Sequence, residues 1–204
     1  MKRIAVFASG NGTNLQAIMD AISRGALKAD LALVVSDKRR ALALKRAARR
    51  GVKTLLLDPK DFGNRRDYDA ALLGFLKKEN IDVVVLAGFM RILSPLFVRA
   101  YKNRILNIHP ALLPAFPGDS AIKDAHRYGV KVTGVTVHFV DEKVDHGPII
   151  VQVSLPVRDA ETLEDLEKRI HEAEHAIYPQ AIASVLAGEA VLKGRRVLRR
   201  RKKS

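Results

Sequence analysis

The sequence predicts an α/β fold, doubly wound around a mostly parallel sheet, with helices on both faces and an antiparallel strand pair in the C-terminal half. Three observations predict it. Apolar runs rich in Val, Ile and Leu recur at residues 4–8, 31–35, 54–57 and 83–87, and continuous apolar strands of this kind belong to parallel sheets buried on both faces. Helix-compatible stretches separate them, the rhythm of right-handed βαβ crossovers. A glycine-bearing turn follows the first strand directly, as in Rossmann-like sheets whose ligands sit at the carboxyl ends of the strands.

Past residue 100 the pattern changes. A short strand, residues 104–108, runs into HPALLPAFPG, whose three prolines forbid a regular helix or a central strand. A helix near residues 120–128 leads through Gly129 to a strand at 130–140, where β-branched residues alternate. Residues 147–157 answer it as an antiparallel partner. The last helix is expected to begin near Glu161, where Glu161, Glu164 and Asp165 suit the positive end of its dipole. Leu163, Leu166, Ile170, Ala173 and Ile177 form its apolar stripe, and Pro179 is expected to bend or restart it.

Composition narrows the classes. The 204 residues are 48% hydrophobic and 28% charged, about one ordinary domain, and no apolar run approaches the roughly 18 residues of a membrane span. The apolar run at residues 4–8 is too short for the ~7–15-residue core of a secretion signal. With no cysteine there is no disulfide, thiolate nucleophile or thiolate metal site, and a cytoplasmic location is the expectation. The net charge is +14, yet residues 193–204 carry eight basic and no acidic residues, so residues 1–192 hold only 28 basic against 22 acidic. Residues 1–192 are expected to be a single domain and 193–204 a basic, mobile tail. Such a run can neutralise phosphates on nucleic acid, but it lacks interleaved aromatics for stacking, and a solvated end is the favoured reading.

Three segments carry chemistry. SGNGTN, residues 9–14, stands between a strand and a helix, where glycines allow close backbone approach and a helix start offers free amides to an anion. It departs from the dinucleotide fingerprint, because Leu15 stands where the third glycine would, and it lacks a P-loop lysine. A tight turn capped by Thr13 or Asn14 explains the same residues. In NIHPALLP, Asn107 and His109 are two apart on a strand and so share a face, an amide donor and an imidazole suited to an oxyanion and a proton; a structural loop histidine is the alternative. VDEKVDHGPI offers Asp145, whose carboxylate could orient and charge a histidine such as His109, although a solvated hairpin turn fits as well. A fourth segment, His171 to His175, spells HEAEH and matches a zinc-protease motif on a helix. No histidine follows it, and an amphipathic helix with polar residues beside a ligand is the preferred reading.

SGNGTN, VVVLAGFMRIL, NIHPALLPAFPG, VTGVTVHFVDEKVDHGPII and EHAIYP occur in that order, and the series resembles the phosphoribosylglycinamide formyltransferase family over nearly all of residues 1–188. The resemblance implies transfer of a formyl group from 10-formyltetrahydrofolate, as co-substrate, to the amine of glycinamide ribonucleotide in purine (IMP) biosynthesis, with no metal required. It implies Asn107, His109 and Asp145 as the catalytic set, with His109 the proton donor held charged by Asp145. Gly12, Thr13, Asn14 and Glu174 would bind the ribonucleotide. Arg65, Met90, Arg91, Ile92 and Leu93 would hold the folate, with Asn107 and the loop of Asp141, Glu142, Lys143, Val144 and Asp145. Asp119 and Ser120 follow Gly118 where many members have a histidine two residues after PG, and His171 stands where some have glutamine. The expected state is a monomer or homodimer acting on small molecules. Methionyl-tRNA formyltransferase shares the donor and a similar Asn, His and Asp set but carries a further C-terminal domain; formyltetrahydrofolate hydrolase carries an extra N-terminal one. A catalytically silent nucleic-acid binder using the tail is the third alternative.

Overall fold

The computed structural model describes residues 1–200. Its strands are β1 (Arg3–Phe7), β2 (Asp30–Ser36), β3 (Thr54–Leu56), β4 (Val83–Leu86), β5 (Ile105–His109), β6 (Val132–Phe139) and β7 (Ile149–Pro156), followed by β8 (Ala190–Lys193) and β9 (Arg196–Arg199). The helices are α1 (Thr13–Ser23), α2 (Leu42–Arg49), α3 (Arg65–Lys78), α4 (Pro95–Ala100), α5 (Ala121–Tyr128) and α6 (Leu163–Leu186). The first seven strands form one sheet in the order β3-β2-β1-β4-β5-β6-β7. Strands β1 to β5 are parallel, whereas β6 pairs antiparallel with both β5 and β7. This is the doubly wound architecture expected, with the antiparallel pair at one edge.

The two-residue period of β1 builds both cores. Ile4 and Val6 face the layer that holds Leu15 and Ile18 of α1, Ala43 and Ala47 of α2, and Ile170, Tyr178 and Ile182 of α6. Ala5 and Phe7 face the other, with Tyr68, Leu72 and Leu76 of α3 and Phe97 of α4. Fully burying each of the larger of these side chains contributes about 1.5–3 kcal/mol.

Successive strands are added to one side of β1 and then, from β4 on, to the other, so the loops after these two parallel strands diverge and open a crevice at the carboxyl edge. That crevice is cross-tied. The Ser9 amide donates to the Gly88 carbonyl at 2.9 Å, and Ser9 Oγ donates to buried Asp37 at 2.6 Å while accepting from the Met90 amide at 2.9 Å. Strand β5, next in the sheet, ends at His109 because Pro110 has no amide to continue the ladder.

Two expectations are corrected. Helix α6 starts at Leu163, capped by Thr162 Oγ1 accepting from the Asp165 amide, and runs through Pro179 without restarting. Pro179 lies among buried Ile177, Tyr178, Ala181 and Ile182, and that packing offsets the roughly 3 kcal/mol an internal proline costs. Residues 190–199, which include the first seven of the basic run expected to be mobile, form the paired β8–β9 hairpin. The boundary drawn at 192/193 falls inside β8, because the apolar pair Val197–Leu198, which faces Val191–Leu192 across the hairpin, is flanked by arginines and reads as part of a charged run. Of the rest of that run, the Arg200 amide donates to the Glu189 carbonyl at 2.7 Å, and residues 201–204 lie outside the described residues. No helix among the described residues is long and apolar enough to cross a membrane.

Candidate active site

The carboxyl ends of β1, β4 and β5 carry two polar clusters. The first is borne by strands. Asn107 and His138 are cross-strand partners in the β5–β6 ladder, and the Asn107 side-chain nitrogen lies 3.1 Å from His138 Nε2. The same amide donates to Asp145 Oδ1 at 3.3 Å. His109 Nδ1 stands 3.4 Å from Asp145 Oδ2, and His138 Nε2 stands 3.7 Å from Asp145 Oδ1. Residues 107, 109 and 145, far apart in sequence, are thus brought onto one carboxylate.

The proline-rich segment closes over them. On β6, Thr136 Oγ1 donates to the Ala111 carbonyl at 2.6 Å and accepts from the Leu113 amide at 3.1 Å, while Gln152 of β7 donates to the Leu113 carbonyl at 3.0 Å. Held there, the segment brings the Phe116 carbonyl 2.7 Å from His109 Nε2 and the Gly118 amide 2.9 Å from Asp145 Oδ2. Phe116 and Asp145 both have left-handed backbones, φ 50° and 46°. Such conformations cost non-glycine residues about 1–3 kcal/mol and persist only where the surroundings enforce them.

Burial dominates the charge states of this cluster. His109 is buried, and desolvation pushes its pKa below the ordinary value of 6.5, against the opposing pull of Asp145 and the Phe116 carbonyl. His138 adds to the lowering and Glu174 opposes it. For Asp145, burial raises the pKa, but the nearby His138 ring, the Gly118 amide and the His109 ring outweigh it, leaving the carboxyl below its ordinary value. The pull of Asp145 on His109 therefore has the expected sign, yet desolvation outweighs it, and at neutral pH His109 rests neutral beside an ionised Asp145.

The second cluster is borne by helices. Gly12, at φ 70°, precedes α1, and no side chain caps that helix. A Cβ on Gly12 would press against Ala43 of α2. Thr13 and Asn14, read from sequence as one of two caps, do not cap it, so the first amides of α1 lack a side-chain acceptor. Asn14 instead turns its amide onto buried Glu174 of α6, donating to Oε2 at 2.9 Å; His171 Nδ1 lies 3.0 Å from the same oxygen. Asn14 Oδ1 is buried without a partner. His171 is half exposed, and the hydrogen bond to Glu174 raises its pKa.

The residues that the resemblance matches to folate differ in exposure. Met90 (65% exposed), Ile92 (58%) and Val144 (51%) offer uncovered apolar surface. Arg91 lies over the Tyr68 ring at 4.5 Å, and exposed Arg65 stands one turn before Tyr68 at the start of α3. Leu93, by contrast, is buried in the core that holds α3 and α4, and anchors the segment. In the 141–145 loop, Asp141 accepts from the Lys143 amide at 3.0 Å and pairs with His146 at 2.7 Å, while Glu142 pairs with Arg99 of α4 at 2.8 Å. HEAEH is divided: His171 and Glu174 join the Asn14 cluster, whereas His175 Nε2 is buried without a partner.

Sequence reasoning missed His138, whose place opposite Asn107 depends on a strand register that cannot be counted across a loop of unknown shape. It also missed the Phe116 carbonyl and Gly118 amide, main-chain groups that no residue type signals.

An amide, two imidazoles and a carboxylate converging at the strand ends of a doubly wound sheet define an enzyme site equipped for acyl-type group transfer. The profile of the Formyl transferase family matches residues 2–182, and the chain belongs to that family, among its phosphoribosylglycinamide formyltransferases. It is 42% identical over 186 residues to the phosphoribosylglycinamide formyltransferase of Bacillus subtilis, covering 91% of this chain and 95% of that protein. It is 47% identical over 193 residues to the trifunctional purine biosynthetic protein adenosine-3 of Drosophila melanogaster, covering 94% of this chain but only 14% of that longer protein. The crystal structure of glycinamide ribonucleotide transformylase 1 from Symbiobacterium toebii superposes with a TM-score of 0.95 at 49% identity, covering 98% of this chain and 94% of that one.

Proposed function

We propose that the protein transfers a formyl group from 10-formyltetrahydrofolate to the amine of N1-(5-phosphoribosyl)glycinamide in purine biosynthesis. The observation that carries this reading is the convergence of Asn107, His109 and Asp145 beside the uncapped start of α1. The ribonucleotide phosphate is held by the open amides at Gly12, Thr13 and Asn14, where the helix dipole favours an anion. Asn14 and Glu174 meet its ribose and amine side, and the orphan Asn14 Oδ1 accepts a hydrogen bond from the ligand. Met90, Ile92 and Val144 cover the pteridine and aryl faces of the donor, with Arg65 and Arg91 at its charged end and Leu93 supporting them from the core.

Attack by the neutral amine on the formyl carbon leaves negative charge on oxygen and positive charge on nitrogen. Asn107 donates to the oxygen, and His109 supplies the second donor. Burial holds His109 neutral at rest, and the N–H of its Nε2, which faces the Phe116 carbonyl at 2.7 Å, is the donor it turns to the oxygen, keeping its proton throughout. Asp145, whose depressed pKa keeps it ionised, takes the proton from the attacking nitrogen and returns it, directly or through water, to the leaving nitrogen. The substrate amine is the nucleophile, so no covalent enzyme intermediate forms.

The test is donor deformylation followed by absorbance with glycinamide ribonucleotide, methionyl initiator tRNA or water as sole acceptor. Turnover confined to the ribonucleotide and lost in His109→Ala is expected. Equal turnover with water or tRNA would overturn the assignment.

A further inference from the structure

We propose that Arg195, at the tip of the C-terminal hairpin, is a positioning residue for the Asp145 loop. Strands β8 and β9 are joined by the two-residue turn Gly194–Arg195, with Gly194 at φ 60° in the first central position, a turn that matches the twist of the flanking strands. The turn carries Arg195 to the hairpin's outermost point. From there its Nη2 donates to the His146 carbonyl at 2.7 Å.

That carbonyl belongs to the peptide unit one residue beyond Asp145. The loop carrying it is pinned at its base: the Phe139 amide donates to the Pro148 carbonyl at 2.9 Å, the Val140 amide to Ile105 at 2.9 Å, and a Cβ on Gly147 would overlap the Phe139 carbonyl. Its crest holds Asp145 at φ 46°, a strained conformation that neighbouring contacts must enforce. The Gly118 amide restrains the Asp145 carboxylate itself. Arg195 restrains the backbone just after it, and it does so from outside the main sheet, since β8 and β9 pair only with each other. The first part of the basic run thus acquires a role in a hairpin, with one arginine aimed at the reacting end of the molecule. The inference rests on the proposed transferase reading for its kinetic consequence, but its geometric part does not.

Arg195→Ala, Arg195→Lys and Arg196→Ala separate positioning from charge. Arg196 is exposed on the same hairpin and loses the same charge. Misplacing a catalytic group by 1 Å costs on the order of 100-fold, and a loosened loop is expected to lower kcat of Arg195→Ala about tenfold. KM for the ribonucleotide should stay unchanged, because Asn14 and Glu174 belong to other elements. Arg195→Lys, which keeps a charged donor, should recover most of the rate, and Arg196→Ala should match the parent. Equal losses in Arg195→Ala and Arg196→Ala would overturn the proposal and leave only the charge of the hairpin.

The second readout needs no turnover: the His109 imidazole titration, followed by NMR. His109 is faced by Asp145, His138, Glu174 and the Phe116 carbonyl. Only the Asp145 loop is held by Arg195. Arg195→Ala should therefore lower the His109 pKa further, as the raising influence of Asp145 recedes, while Arg196→Ala leaves it in place. An unmoved titration in Arg195→Ala contradicts the proposal even if the parent transfers no formyl group to the ribonucleotide.

Discussion

Each of the two clusters at the carboxyl edge pairs a histidine with a carboxylate, and the same pairing has opposite consequences. In the strand-borne cluster, desolvation outweighs the attraction of Asp145 and the His109 pKa falls. In the helix-borne cluster, the hydrogen bond to Glu174 outweighs desolvation and the His171 pKa rises. The difference is one of enclosure. His109 is covered by the proline-rich segment and by β6, whereas half of the His171 side chain meets solvent. A carboxylate neighbour does not by itself fix a histidine's charge; the depth at which the pair is set decides it.

The comparison predicts a division of labour, with chemistry in the first cluster and substrate holding in the second. The largest expected effects follow from removing strand-borne groups. His109→Ala and Asn107→Leu should each lower kcat by about 10²–10³-fold, the range for one oxyanion donor. A loss confined to KM would break the division.

Next in size is Gly147→Ala. Its methyl group would overlap the Phe139 carbonyl, and relieving such overpacking costs about 1–3 kcal/mol. Thermal melts should show that loss, and His109 should titrate lower because Asp145 moves with the loop. A parent-like melt would mean the loop is looser than its contacts imply.

The smallest effects are in pH dependence, and their signs oppose. The folded pKa of His109 lies below the unfolded value, so the unfolded chain binds the proton first and stability falls as pH drops below about 6.5. The folded pKa of His171 lies above it, so the stability from its pair is full below about 6.5 and is lost as pH rises through the folded value. His109→Asn should flatten the acid side of a Tm profile taken between about pH 5 and 8. His171→Gln should flatten the alkaline side, by only a few tenths of a kcal/mol, the scale of a solvent-screened pair. If both variants altered the same limb, the contrast in enclosure would be wrong.

The two clusters were unequally legible in the sequence. Asn107 and His109 share a face by strand period alone, and the apolar runs marked the parallel sheet that places them. Their meeting with Asp145 was an inference from resemblance, because no spacing crosses from residue 109 to residue 145; the β5–β6 register and the Thr136 tie supply that link. His138 stayed hidden for the same reason. The uncapped start of α1 was undecidable from SGNGTN, since Thr13 and Asn14 are good caps, and only the orientation of Asn14 onto Glu174, 160 residues away, removes that alternative. The hairpin is hidden because arginines flank the adjacent apolar residues Val197 and Leu198, whose partners Leu192 and Val191 lie before the basic run.

The most direct test of the division sets Asp145→Asn beside Asn14→Leu in one steady-state experiment with both substrates varied. Asp145→Asn should lower kcat by about 10²-fold or more with little change in KM for the ribonucleotide. Asn14→Leu should raise that KM about tenfold or more, the value of a hydrogen bond to a charged group, with kcat and the KM for the folate donor nearly kept. Equal losses of kcat and KM in both variants would contradict the account, because the two clusters would then act as one.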